Sequence, residues 1–206
     1  MLEVLRLYAT LSDILILCDR RMYVADKRRT VLYSAAVPYE QLMTVGIVLD
    51  DMINYLTGGT AIQEIELSDD QTCIIVDKHE RIPIKHIYKT KIEVEKCRFS
   101  TLETTVGFCT TLMNHCVISG RLWISSEEKG IKLVSSNELG HMVSEIPTTW
   151  EMKYVPISIN IKYIRYICLF LTLSDYKINI HLSDIYMKLF LNHNTKDPIE
   201  IIFQKT

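Results

Sequence analysis

Glycine and proline are scarce in this chain, with 7 Gly and 5 Pro among 206 residues. Long flexible linkers are therefore not expected, because they are built from residues that resist regular structure. The six cysteines (Cys18, Cys73, Cys97, Cys109, Cys116 and Cys168) stand in apolar runs without CxxC spacing. That pattern excludes a disulfide framework and fits reduced thiols of a cytosolic or nuclear protein. No apolar run reaches the roughly 20 residues that a membrane-spanning helix requires. The most apolar helical stretch, Ile161 to Leu173, is interrupted by Lys162 and Arg165. Residues 1–17 carry Glu3, Arg6 and Asp13, so no signal peptide is read there and an intracellular, soluble protein is expected. A charge excess is missing too, since 23 Lys and Arg face 25 Asp and Glu for a net charge of −2. Any nucleic-acid contact must then come from a local basic stripe on a neutral body.

Catalytic signatures are equally absent: the chain has no GxSxG, P-loop, HExxH or GxGxxG. The Ser-Asp pairs Ser12-Asp13, Ser68-Asp69, Ser174-Asp175 and Ser183-Asp184 sit at expected turns, where both residues favour local backbone hydrogen bonds. His115 and Cys116, with Cys109 a few residues earlier, lack the second cluster that a four-ligand metal site needs. They read as buried groups at the end of an apolar helix. His79, His86, His141, His181 and His193 are scattered. The expectation is a protein without catalytic residues, cofactor or metal.

What the chain does contain is 48% hydrophobic and 23% charged residues, enough for one large core or two small ones of about 100 residues each. Four short stretches have helical periodicity. Leu2 to Leu11 aligns Val4, Leu7, Tyr8 and Leu11, and Leu49 to Leu56 aligns Leu49, Met52, Ile53 and Leu56 before Gly58-Gly59. A third helix is expected to open at Ser100 with Glu103 in capping-box spacing and to run through Leu102, Val106, Cys109 and Met113. A fourth, Asn160 to Leu171, has Asn160 as N-cap and Ile161, Ile164, Cys168 and Leu171 on its buried face.

Alternating segments between them predict strands over Ile14 to Leu17, Arg21 to Ala25, Thr30 to Val37, Ile62 to Leu67 and Thr72 to Val76. Arg81 to Phe99 reads as two more, and the later half adds Val117 to Ser125, Ile131 to Ser135, Met142 to Ile146, Lys177 to Leu182 and Tyr186 to Leu191. Pairing Ile47 with Ile159 (159 − 47 = 112) and Ile65 with Ile178 (178 − 65 = 113) points to a duplicated α+β domain.

The stretch from Ile118-Ser119-Gly120 to Gly140, containing "GIKLVSSNELG", resembles the Gly-Val-Lys-Phe-x-x-x-Gly-Glu-Leu-Gly hairpin of the sliding clamps that encircle DNA, proliferating cell nuclear antigen and its relatives. "TTWEMKYVPISINIKYIRYICLF" (Thr148 to Phe170) resembles that family's strand, short loop and basic helix, and "MKLFLNHN" with "IEIIFQKT" its closing strands. The similarity covers most of residues 100–206 and, more weakly, 2–80. It implies two tandem clamp-type domains, 1–90 and 91–206, with antiparallel sheets outside and four short helices on the inner face.

The function implied is that of a non-enzymatic processivity or accessory factor in DNA replication and repair, nuclear or at a viral replication site. It would close into a homotrimeric ring, hold double-stranded DNA weakly and tether a polymerase or another replication or repair protein. Lys162, Arg165 and Arg6 would face DNA, and Ile202 and Phe203 in the last strand would border the client pocket. The alternative is a clamp-fold scaffold, monomer or dimer or a checkpoint-clamp subunit, acting through protein contacts.

Three features depart from the family. The chain starts almost in its first helix, the long interdomain connector is nearly absent, and the helices are poor in positive charge. Asp50 and Asp51 stand on the second helix, and Glu103 is read on the third with no basic residue before His115. The densest positive run, Arg20-Arg21 with Lys27-Arg28-Arg29, is read as a solvated hairpin, the other reading being a second DNA contact.

Overall fold

The computed structural model describes residues 1–39, 43–59, 61–89, 100–103, 108–118, 120–127, 130–147, 156–172, 176–183 and 186–204. The chain forms two compact units, Met1–Glu95 and Lys96–Thr206, each an α+β structure of antiparallel strands with two helices.

In the first unit, helix α1 (Leu2–Ala9) is followed by the meander β1 (Ile14–Cys18), β2 (Arg21–Ala25) and β3 (Val31–Ala36). Strand β4 (Thr44–Val48) then leads into helix α2 (Leu49–Thr57) and a second meander, β5 (Ile65–Leu67), β6 (Cys73–Val76) and β7 (Glu80–Tyr88). The sheet order is β5-β6-β7-β4-β1-β2-β3. Helix α1 buries Val4, Leu5, Leu7 and Tyr8, and α2 buries Leu49, Met52 and Leu56. Each such side chain contributes about 1.5–3 kcal/mol on leaving water, which explains how helices of two turns persist here. The two helices pack on each other, and α2 also rests on β4 and β7.

The second unit repeats the order of helix and meander, but among the described residues its β12 lies at a sheet edge where β4 of the first unit pairs with both β1 and β7. Strand β8 (Ser100–Glu103), helix α3 (Phe108–Ile118) and the meander β9 (Arg121–Glu127), β10 (Gly130–Asn137) and β11 (Gly140–Pro147) form its first half. Its second half is β12 (Ile157–Asn160), helix α4 (Ile161–Thr172), β13 (Lys177–Leu182), β14 (Tyr186–Asn192) and β15 (Ile199–Gln204). Leading strands are exchanged between halves: β12 pairs with β9, and β8 pairs with β13. In the first unit β4 pairs with β1 in the same way. The recurring element is therefore a helix followed by a three-stranded meander, present four times, about half the size of the repeat legible in the sequence.

Gly130 is needed where the β10–β11 hairpin closes against Ile146 and Pro147. Its φ is +151°, and a Cβ there would stand 2.0 Å from the carbonyl oxygen of Ile146. At the other end of the hairpin, Asn137 Oδ1 accepts hydrogen bonds from the backbone N–H of Leu139 (2.8 Å) and Gly140 (3.1 Å), fixing the turn.

Several sequence expectations need correction. Ser100 to Glu103 is a strand, not the first turn of a helix, and α3 begins only at Phe108. The spacing of Ser100 and Glu103 fits a capping box in the sequence, but β13 offers Ser100–Glu103 a four-residue antiparallel ladder instead. Val117 and Ile118 end α3 instead of starting a strand. Leu11 lies beyond α1, and strands β4 and β12 precede helices where none was read. The strand expected over residues 91–99, the boundary at 90/91, Val106, Glu128-Lys129 and residues 148–155 lie outside the described residues.

Candidate nucleic-acid interface

Helix α4 carries the densest expected contact. Asn160 Oδ1 accepts the Lys162 backbone N–H at 3.1 Å, which starts the helix one residue later as an N-cap does. Ile161, Tyr163, Ile164, Ile167, Cys168 and Phe170 are buried. The 3.6-residue period then leaves Lys162, Arg165, Tyr166, Leu169 and Thr172 exposed. The Lys162 ammonium sits 4.7 Å from the centroid of the Tyr163 ring, a cation–π contact that leaves its charge in water. Arg165 donates from Nη2 to the Cys116 carbonyl at 3.1 Å, so part of its fork caps the last turn of α3. The rest of that guanidinium keeps donors for an anion.

On the neighbouring helix α3, Thr110, Met113, Asn114 and Val117 are exposed and Leu112, His115 and Cys116 are buried. His115 is fully enclosed. Its Nδ1 lies 2.7 Å from Ser135 Oγ on β10 and its Nε2 2.9 Å from Ser144 Oγ on β11. Burial pushes its pKa below the ordinary histidine value, so at pH 7 it is neutral. Its function in the fold is to pin α3 to the β10–β11 hairpin, and it adds no positive charge to the helix surface. Burial also raises the Cys116 thiol, an effect that Arg165 opposes. Cys18, Cys73, Cys116 and Cys168 are all buried. Among the described residues no group of three His, Cys, Asp or Glu converges to hold a metal, and no helix is long and apolar enough to cross a membrane.

The helices of the first unit present a different surface. Arg6 is exposed on α1, but Glu3 is exposed three residues earlier. Asp50 and Asp51 are exposed in the first turn of α2, where they suit the positive end of the helix dipole and repel phosphate. Three acids against one base leave this face at −2, whereas the described helix residues of the second unit expose Lys162 and Arg165 for +2. The structure thus keeps Lys162, Arg165 and Arg6 accessible but gives Arg6 an acidic setting.

Ile202 and Phe203, expected at a client-binding surface, are instead core residues of β15, 3% and 2% exposed. The alternation of "IEIIFQ" was readable, but not that Ile201, Ile202 and Phe203 would be buried in succession. The basic run is also divided. Asp19-Arg20 forms the β1–β2 turn and Lys27-Arg28-Arg29 the β2–β3 turn, at opposite ends of β2. The exposed Tyr166 and Leu169 were missed, although their spacing of four and seven from Lys162 puts them on its face.

No protein-family model matches the chain, and no curated protein matches it by sequence. The functional reading therefore rests on geometry and surface chemistry.

Proposed function

We propose that the chain is a clamp-type protein: two tandem clamp domains, sheets outside and helices inside, acting as a processivity or accessory factor that holds duplex DNA loosely for a polymerase or repair enzyme. The observation that carries this reading is the fourfold recurrence, among the described residues, of helix plus three-stranded meander, with leading strands exchanged between both halves of the second unit and β4 pairing with β1 in the first. Helix α4 adds two exposed cations three residues apart, able to meet phosphates without reading bases. Strand β11, eight residues long, is at a sheet edge among the described residues, the kind of backbone that ring closure through edge strands uses. Lys162, Arg165 and Arg6 from each of three copies supply at most about nine phosphate contacts from the helices, so binding through them is weak and salt-dependent. Such a factor works at a nuclear or viral replication site.

A second reading keeps the fold and discards the ring. Met113, Val117, Tyr166 and Leu169 put apolar area on the helices of the second unit, and the acidic helix face of the first is unsuited to DNA. Both features suit a scaffold that binds proteins. Light scattering on the eluting protein separates the two, a trimer supporting the clamp and a monomer at every salt concentration the scaffold. Charge reversal at Lys162 and Arg165 should weaken retention on DNA; unchanged retention would remove the DNA assignment.

A further inference from the structure

The β2–β3 turn places Lys27, Arg28 and Arg29 side by side, all three exposed. Among the described residues none of their side chains has a hydrogen bond or ion pair. Consecutive cations repel, so an idle turn of this kind favours a loose chain. This one is held tightly. Asp26 Oδ1 accepts from the backbone N–H of Thr30 at 2.6 Å and of Val31 at 2.9 Å, and its Oδ2 accepts from Thr30 Oγ1 at 2.9 Å. The Arg29 N–H donates to the Asp26 carbonyl at 2.9 Å, and the Asp26 N–H to the Val31 carbonyl at 3.1 Å. Arg29 itself has φ +56°, in the left-handed region where glycine is the default. That conformation sets the backbone at Arg29 and leaves its side chain exposed.

We propose that this turn is a second phosphate-contacting site for duplex DNA, through which the first unit reaches the backbone that its acidic helix face repels. The inference rests on the nucleic-acid reading above. Two arginines beside a lysine match phosphate oxygens with forked donors, and a backbone already fixed loses little entropy on binding. The tip has no exposed apolar side chain to sink beneath lipid headgroups, which disfavours a membrane surface.

The test measures binding of a short DNA duplex over a salt series for the full chain, for K27S/R28S/R29S, for Arg29→Gly and for K162E/R165E. The triple variant is expected to flatten the slope of log affinity against log salt by about 3, and Arg29→Gly by about 1. The thermal midpoint of Arg29→Gly should stay level or rise, because glycine suits the backbone, so a slope change there cannot come from misfolding. A wild-type slope in Arg29→Gly and the triple variant, with retention lost in K162E/R165E, overturns the tip and leaves the nucleic-acid reading standing. No duplex retention by the unaltered chain at low salt overturns both. Loss of binding to phosphatidylserine vesicles in the triple variant, with an unchanged DNA slope, assigns the tip to membranes and overturns the proposal.

Discussion

In the first unit the paired helices expose Glu3, Asp50 and Asp51 against Arg6, and in the second they expose Lys162 and Arg165 beside Tyr166 and Leu169. Beneath these faces the two units share one plan, a helix and a three-stranded meander used twice. Packing constrains only the apolar stripe that meets the sheet, such as Leu49, Met52 and Leu56 on α2 or Ile161, Ile164 and Cys168 on α4. The solvent side of each helix is free to diverge in charge. A shared fold therefore says little about which half meets an anion, and the exposed residues decide it.

The units also differ in how a helix is tied down. In the first, the carboxylate of Asp77 accepts the Tyr55 hydroxyl from α2 at 2.9 Å and the backbone N–H groups of Gln63 and Glu64 at 2.8 and 2.9 Å. In the second, a neutral imidazole, His115, joins α3 to two serines. Acid weakens the carboxylate anchor only through its own titration, whereas the imidazole anchor loses stability once the unfolded chain can take up the proton that burial denies the folded one.

The largest effect is expected for His115→Ala, which strands two serine hydroxyls against a cavity and should cost about 3 kcal/mol of unfolding free energy. Hydrogen exchange would localise the loss to α3 and the β10–β11 hairpin. Protection lost equally in α1 and α2 would break the distinction between the units. Next comes K162E/R165E, expected to weaken duplex binding by one to two orders of magnitude, about 1.4–2.8 kcal/mol, in a mobility-shift titration at low salt. Asp77→Ala should destabilise the first unit by about 1–2 kcal/mol, because its backbone partners are partly solvated, and denaturant unfolding reads this directly.

A pH series sharpens the same contrast. Burial depresses the folded-state pKa of His115; burial, then Lys188, depresses that of His181. The unfolded chain takes up these protons near pH 6.5 while the folded chain does not, so the second unit loses stability as pH falls below about 6.5. For Asp77, burial acts upward but is outweighed by hydrogen bonds from Glu64, Gln63 and Tyr55, and the net shift is downward. Its stabilisation persists at neutral pH and is lost only as pH falls through the carboxylate range, near 4 and below. Exchange protection measured between pH 7 and 5 should therefore decline in α3 and hold in α2. The smallest effect belongs to D50K/D51K, which turns the acidic face of α2 basic and should strengthen duplex binding a few-fold; no gain would mean that this face never approaches DNA.

Helix existence was legible wherever an apolar stripe and a terminator coincided, as with Asn160 before α4 and Gly58 after α2. Strands were legible where alternation ran for five residues or more. What escaped was the short leading strand before a helix. Val45 to Val48 runs into α2 without a break, so its pattern merges with the helix that follows. The β8 segment escaped because its capping-box spacing competed with a ladder that only β13, some 80 residues later, supplies.

By itself the sequence determined the apolar stripes, the turn residues and the charge of each helix, because those depend on neighbours within a few positions. Only the tertiary structure decided that His115 is enclosed by two serines and that Ile202 and Phe203 are core. The physical reason is that burial and proximity arise from strand pairings between residues far apart in the chain, which no local pattern encodes.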